Sequence, residues 1–320
     1  MRQPGARSNM KMRILFIFVM LMGCRLFAAD AAADASPPGT HAGAIFEWSD
    51  PQDHYDHVMA FRLWIPPDLP KARAVVVLTP GSKGDGRPMA NDPAFQALAE
   101  HTGAVLCACY MKGEQNGRYD DPAYWSGPVL LRALQDLAVS SHHPEIADAP
   151  LAFWGHSAGG QFNYNFTCWK PERVIAFIAN KGAYYTARTS DQLFLVPGLW
   201  FVGGKDQDER IQNITNLFVA GRRRGAPWCL AVEPNIGHDV GRSKDAGIAY
   251  LEAVIPLRLG KAGVASGLLP VPADAWVGEL TQHEIRPHDP HKDAGRITSW
   301  LPDEGFAKIW CSVVTGEPVP

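Results

Sequence analysis

The chain has 320 residues, is 46% hydrophobic and carries a formal net charge of −3. That length and apolar content favour one large domain with a full core over two small ones. Acidic residues outnumber basic ones, 33 to 30, and the short run Arg222-Arg223-Arg224 is too small a basic patch to argue for nucleic acid, so that class of partner is set aside.

The first 28 positions hold five basic residues and no acid, so the rest of the chain is more acidic, at about −8. Arg7, Lys11 and Arg13 precede an apolar run from Ile14 to Met22 that is too short to span a bilayer. Small residues follow from Ala28 to Ala31, suiting cleavage. Residues 1–29 therefore read as an export signal, implying a periplasmic or secreted protein. Leu21-Met22-Gly23-Cys24 resembles a lipobox with an atypical methionine, so two readings stand: a plain signal, or a lipid on Cys24. A membrane is a partner only in the second. Residues 30–43, rich in proline, glycine and alanine, read as a disordered leader.

From residue 44 the pattern alternates. Ile45–Trp48 and Val58–Ile65 predict two opening strands that pair antiparallel, and Ala74–Leu78 is a β-branched run suited to a strand buried on both faces. Asp92–His101 predicts a helix and Ala104–Cys109 a strand. A longer helix presents Leu130, Leu134 and Leu137 on one face. The strand Leu151–Trp154 leads into a helix ending near Trp169, and Val174–Ile178 is the next strand. The run from Gly198 to Gly204, a helix from Glu209 to Arg223, and the strand Trp228–Val232 follow. A last helix over Ala246–Ile255 should end at Pro256. These lengths imply a doubly wound, mostly parallel eight-stranded sheet with helices on both faces, spanning residues 44–259.

The chemistry is concentrated at three strand ends. Gly155-His156-Ser157-Ala158-Gly159 is a G-x-S-x-G between a strand and a helix. This form demands a sharp turn that lifts the Ser157 hydroxyl clear of the sheet. The same turn points the Ala158 N–H and the helix N-terminus at a developing oxyanion. Gly204-Lys205-Asp206 ends another strand, with Asp208 two residues on as the alternative acid. Gly237-His238 follows the strand after that, and Asp239 beside it reads as a solvated loop residue. Parallel strands bring their C-terminal ends to one edge, where Ser157, Asp206 and His238 can converge. His156 is expected to pack beside the strand.

In these motifs the chain resembles the α/β-hydrolase superfamily, most closely its esterase and polyester-depolymerase-like members. The resemblance implies that His238 takes the Ser157 proton during attack on an ester carbonyl while Asp206 orients the imidazole. It also implies a second oxyanion donor after the third strand. There Thr79-Pro80-Gly81-Ser82 lacks the histidine-glycine pair of lipases, and the Ser82 N–H is the donor by alignment of the glycine. The other reading is a glycine-rich turn with no catalytic part. No cofactor is required. The expected partner is a small-molecule or polymeric ester.

Substrate identity is weakly encoded. Trp125, Tyr184 and Tyr185 are the candidate substrate-binding residues, with Tyr124 and Trp169 as further aromatics near element ends. Cys107, Cys109 and Cys229 fall on predicted strands, whereas Cys168 and Cys311 are the two more apt to pair with something. No zinc spacing occurs, and Pro290 interrupts the HxxH of His288 and His291, which reads as loop. Residues 260–320 form an extension: an irregular layer, then a capped helix over 297–310 with Pro302 in its first turn and Phe306 and Trp310 on one face, packing on the body. Beside an exported serine esterase, two readings stay open: a serine peptidase or dienelactone-type hydrolase, and a non-catalytic binding protein with the same fold.

Overall fold

In the computed structural model, residues 42–51, 57–113, 119–260, 267–272 and 275–318 are described. The export signal, most of the leader and Cys24 lie outside them. Eight strands, β1 (Ala44–Ser49), β2 (His57–Ile65), β3 (Ala74–Thr79), β4 (Ala104–Gly113), β5 (Leu151–Gly155), β6 (Val174–Asn180), β7 (Gly198–Gly203) and β8 (Trp228–Glu233), form one sheet in the order β1-β2-β4-β3-β5-β6-β7-β8. The β1–β2 and β2–β4 pairs are antiparallel. Every later pair is parallel. The central strands β3, β5, β6 and β7 are buried at every position, as continuous apolar runs require when helices cover both faces.

The helices are α1 (Pro93–Thr102), α2 (Ser126–Ser140), α3 (Ala158–Trp169), α4 (Asp208–Arg223), α5 (Ser243–Leu259), the single turn α6 (Pro290–Asp293) and α7 (Glu304–Thr315). One core layer joins Phe61, Val77, Phe153, Phe177 and Trp200 to α2, α3 and α4. The other joins Trp64, Leu78, Trp154 and Ile178 to α1, α5 and α7. Alternate residues of each strand feed opposite layers, following the period of two.

Three expectations need correction. Pro256 does not end α5, which runs on to Leu259 and stops at Gly260 with φ 62°. An internal proline costs about 3 kcal/mol, but Val254, Ile255 and Leu259 are all buried on this helix, each worth about 1.5–3 kcal/mol. The region after residue 260 is not an irregular layer followed by one long helix. It contains a second, three-stranded antiparallel sheet of β9 (Trp276–Gly278), β10 (Ile285–Pro287) and β11 (Ser299–Leu301). Pro302 therefore sits between β11 and α7, and Asp303 caps α7 by accepting the Phe306 N–H at 2.7 Å. Finally, Cys168 and Cys311 are free thiols. Cys168 is buried, which pushes its thiol up to about 12, and Cys311 Sγ lies 3.4 Å from the His283 carbonyl.

Phe306 and Trp310 share the buried face of α7. The edge strand β8 is covered there: Ser299 Oγ accepts the Leu230 N–H at 2.9 Å, and Trp310 Nε1 donates to the Leu230 carbonyl at 2.7 Å. An edge that would otherwise offer unpaired backbone groups is closed by the extension.

Candidate active site

The turn after β5 holds Ser157 at φ 54°, ψ −120°, a conformation that side chains rarely adopt. Its neighbours must be small. A Cβ on Gly155 would lie 2.0 Å from Thr79 Oγ1, and one on Gly159 would lie 2.4 Å from the Thr79 carbonyl oxygen. The turn is held by hydrogen bonds from the Ser157 N–H to the Asn180 carbonyl at 2.7 Å and from the Gly159 N–H to the His156 carbonyl at 2.9 Å. Beneath it, Thr79 Oγ1 donates to Asn163 Oδ1 at 2.8 Å, and Asn163 Nδ2 donates to the Ile178 carbonyl at 2.9 Å. This fully buried pair locks α3 to β3 and β6.

Asp206 ends the turn after β7, just before α4. Its carboxylate is 4% exposed and accepts the Gln207 N–H at 2.8 Å on Oδ1. The helix N-terminus beside it favours the negative charge. Oδ2 lies 2.8 Å from His238 Nδ1, and His238 Nε2 lies 2.9 Å from Ser157 Oγ. A proton on Nδ1 satisfies the carboxylate and leaves the Nε2 lone pair facing the serine hydroxyl. Asp208 instead opens the first turn of α4, and Asp239 is exposed.

His156 does more than pack beside the strand. Its Nε2 donates to the His238 carbonyl at 2.9 Å, and the two rings sit 5.1 Å apart. Burial lowers its pKa to about 4, outweighing the bond to His238. At neutral pH it is therefore an uncharged donor fixing the backbone of His238.

The loop after β3 runs directly over the elbow: a Cβ on Gly81 would lie 3.4 Å from His156 Nδ1 and 3.6 Å from Ser157 Cβ. Ser82 follows at the exposed turn closed by the Gly84 N–H to Gly81 carbonyl bond of 3.0 Å.

The aromatic candidates separate. Trp125 precedes α2, whose Gly127 packs against Trp169 at the last turn of α3. At 1.5 Å per residue, Trp169 at that end of α3 is about 18 Å along the helix from Ser157, which sets this second aromatic away from the nucleophile. Tyr185 is half-buried, stacks edge-on against Tyr164 and Trp200 at 5.4 and 5.3 Å, and burial raises its pKa. Tyr184 is 60% exposed. Both tyrosines line a groove of about 450 Å³ with Asn213, Asn216 and Leu217 of α4. A larger groove, about 640 Å³, lies by the start of β8 at the opposite sheet edge, between Arg222, Pro227 and Trp300.

The sequence reading missed Gln161, Asn163 and Asn165. Gln161 Nε2 donates to Asp120 at 2.9 Å while its Oε1 accepts the Ala183 N–H at 2.9 Å, and Asn165 Oδ1 accepts the Thr186 N–H at 2.8 Å. Gln161 and Asn165 thus tie down the two loops at Asp120 and at 183–186, while Asn163 anchors α3 to β3 and β6. The available signal was three amides on a helix that otherwise reads as core. Among the described residues, no three His, Cys, Asp or Glu side chains are grouped to hold a metal. His288 instead bonds Asp293, and Asp289 caps α6.

No family model matches the chain, and no curated protein matches it. Among solved structures, a ferulic acid esterase superposes with a TM-score of 0.51 at 14% identity, over 67% of this chain and 98% of that one. The chain has the α/β-hydrolase fold. An S-formylglutathione hydrolase from Agrobacterium tumefaciens matches with a TM-score of 0.46 at 13% identity, over 67% of this chain and 96% of that one. A poly(3-hydroxybutyrate) depolymerase from Bordetella parapertussis matches at 0.43 and 17%, over 68% and 88%. In the α/β-hydrolase fold, the crevice beyond the carboxyl ends of the strands is the usual ligand position, and Ser157, Asp206 and His238 all follow those ends.

Proposed function

We propose that this protein is an exported serine hydrolase that cleaves carboxylic esters through an acyl-enzyme on Ser157. The observation that carries the reading is the unbroken line from Asp206 Oδ2 through both His238 nitrogens to Ser157 Oγ, at 2.8 and 2.9 Å. His238 Nε2 takes the serine proton as Oγ attacks the carbonyl carbon, and Asp206 stabilises the imidazolium. The oxyanion is held by the N–H of Ala158, whose neighbours Ser157 and Gly159 have theirs committed to carbonyls, and by the N–H of Ser82. Each such donor is worth about 3–4 kcal/mol in the transition state. His238 returns its proton to the leaving alcohol, then activates the water that frees the acid.

The groove beside Tyr184 and Tyr185 follows the carboxyl end of β6, the same sheet edge as Ser157, and on this reading would take an aromatic or extended acid or alcohol part of the ester. Hydrolysis of p-nitrophenyl acetate tests the reading. Wild type should turn over, and Ser157→Ala and His238→Ala should each lower kcat by about 10⁴-fold or more. Folded variants retaining wild-type rates would refute it.

A further inference from the structure

We propose that Lys181 is a positioning residue for His238, acting through a buried ion pair with Glu233. The proposal rests on the reading of Ser157, Asp206 and His238 given above. Lys181 and Glu233 have side chains only 0% and 2% exposed and are paired through Nζ and Oε2. Nζ also donates to Asn180 Oδ1 at 3.2 Å and reaches the Val240 carbonyl at 3.4 Å. The other Glu233 oxygen accepts the Arg242 N–H at 2.6 Å.

These contacts have a geometric logic. Asn180, next to Lys181, supplies the carbonyl that holds the Ser157 N–H. Glu233 is the last residue of β8, so Glu233, Val240 and Arg242 bracket the loop that carries His238. The Asn180 amide donates to Ser243 Oγ, which in turn donates to the Val240 carbonyl, adding a second tie to the same loop. One ammonium group thus joins the strand end behind the nucleophile to both flanks of the base.

Stability alone explains this pair poorly. Burying two charges costs several kcal/mol per ion before their attraction offsets it, and well-packed apolar residues usually serve as well. Lys181 also occupies φ 54°, which is costly for a residue with a long side chain. Such an arrangement persists where geometry is at stake, and a misplacement of about 1 Å at a reacting group costs about 100-fold in rate.

Lys181→Met alone would leave the Glu233 carboxylate buried and unpaired, so the double variant Lys181→Met/Glu233→Gln carries the test. Met keeps the stem volume, and Gln keeps an acceptor for the Arg242 N–H. Thermal unfolding, kcat and KM on p-nitrophenyl acetate, and ¹⁵N shifts of the His238 ring are measured on both proteins. The double variant should unfold within a few degrees of wild type. Its kcat should fall at least about 10-fold with KM within about two-fold. The two ring nitrogens, distinct in wild type as protonated Nδ1 and bare Nε2, should average together. A folded double variant with wild-type kcat and distinct nitrogens overturns the proposal, as does one that fails to fold, since the pair is then merely structural. If wild type itself does not hydrolyse the ester, the hydrolase reading fails, and the ring shifts alone decide the positioning role.

Discussion

His238 is held from three sides: Asp206 at Nδ1, Ser157 at Nε2, and His156 at its carbonyl. The choice between the two candidate acids can be tested here. Asp206→Asn should lower kcat by about 10⁴-fold, because an amide no longer enforces the Nδ1–H tautomer. Asp208→Asn, in the first turn of α4, should stay within about two-fold. His156 makes a separate prediction. Its folded pKa of about 4 lies below the usual 6.5, so the unfolded chain binds the extra proton first as pH falls. Its contribution to stability is fully present above pH 6.5 and is lost progressively as pH drops toward 4. Tm recorded across that window should therefore decline less steeply in His156→Asn than in wild type. A parallel decline would show that His156 titrates normally. None of this is legible from Gly155-His156-Ser157 alone, since the His238 carbonyl comes from 82 residues away.

Elements differ in how openly the sequence declares them. Long β-branched runs such as Ala74–Thr79 and the apolar face of α2 announce themselves by period and length. The strands of the small sheet have three residues each, too few for any period to register. Pro256 misleads because helix propensity is local, whereas the burial of Val254, Ile255 and Leu259 is tertiary. Asn163 reads as an ordinary polar helix residue until Thr79 and the Ile178 carbonyl are seen on either side. The extension is expected to be integral. Trp310 is 1% exposed and bonds the Leu230 carbonyl, so Trp310→Ala should cost about 3–5 kcal/mol in chemical denaturation. A loss under 1 kcal/mol would mean that α7 is dispensable to the β8 edge.

On the scale of the whole molecule, the topology does what the alternating pattern implied. Strands β5, β7 and β8 run parallel, so three residues separated by up to 81 positions meet at one sheet edge. Fold and meeting point were thus readable from strand order and the three motifs. The substrate was not, because Trp125, Tyr184 and Tyr185 look alike in sequence, yet Trp125 stands at the start of α2, Tyr184 is an exposed groove wall, and Tyr185 is half-buried between that groove and an aromatic stack. The central claim is an activated nucleophile at Ser157, and reaction with a fluorophosphonate followed by intact-mass and peptide mass analysis addresses it most directly. Wild type should gain one adduct on Ser157, Ser157→Ala none, and His238→Ala one formed far more slowly. A folded wild type that stays unlabelled, or carries its adduct elsewhere, would contradict the account.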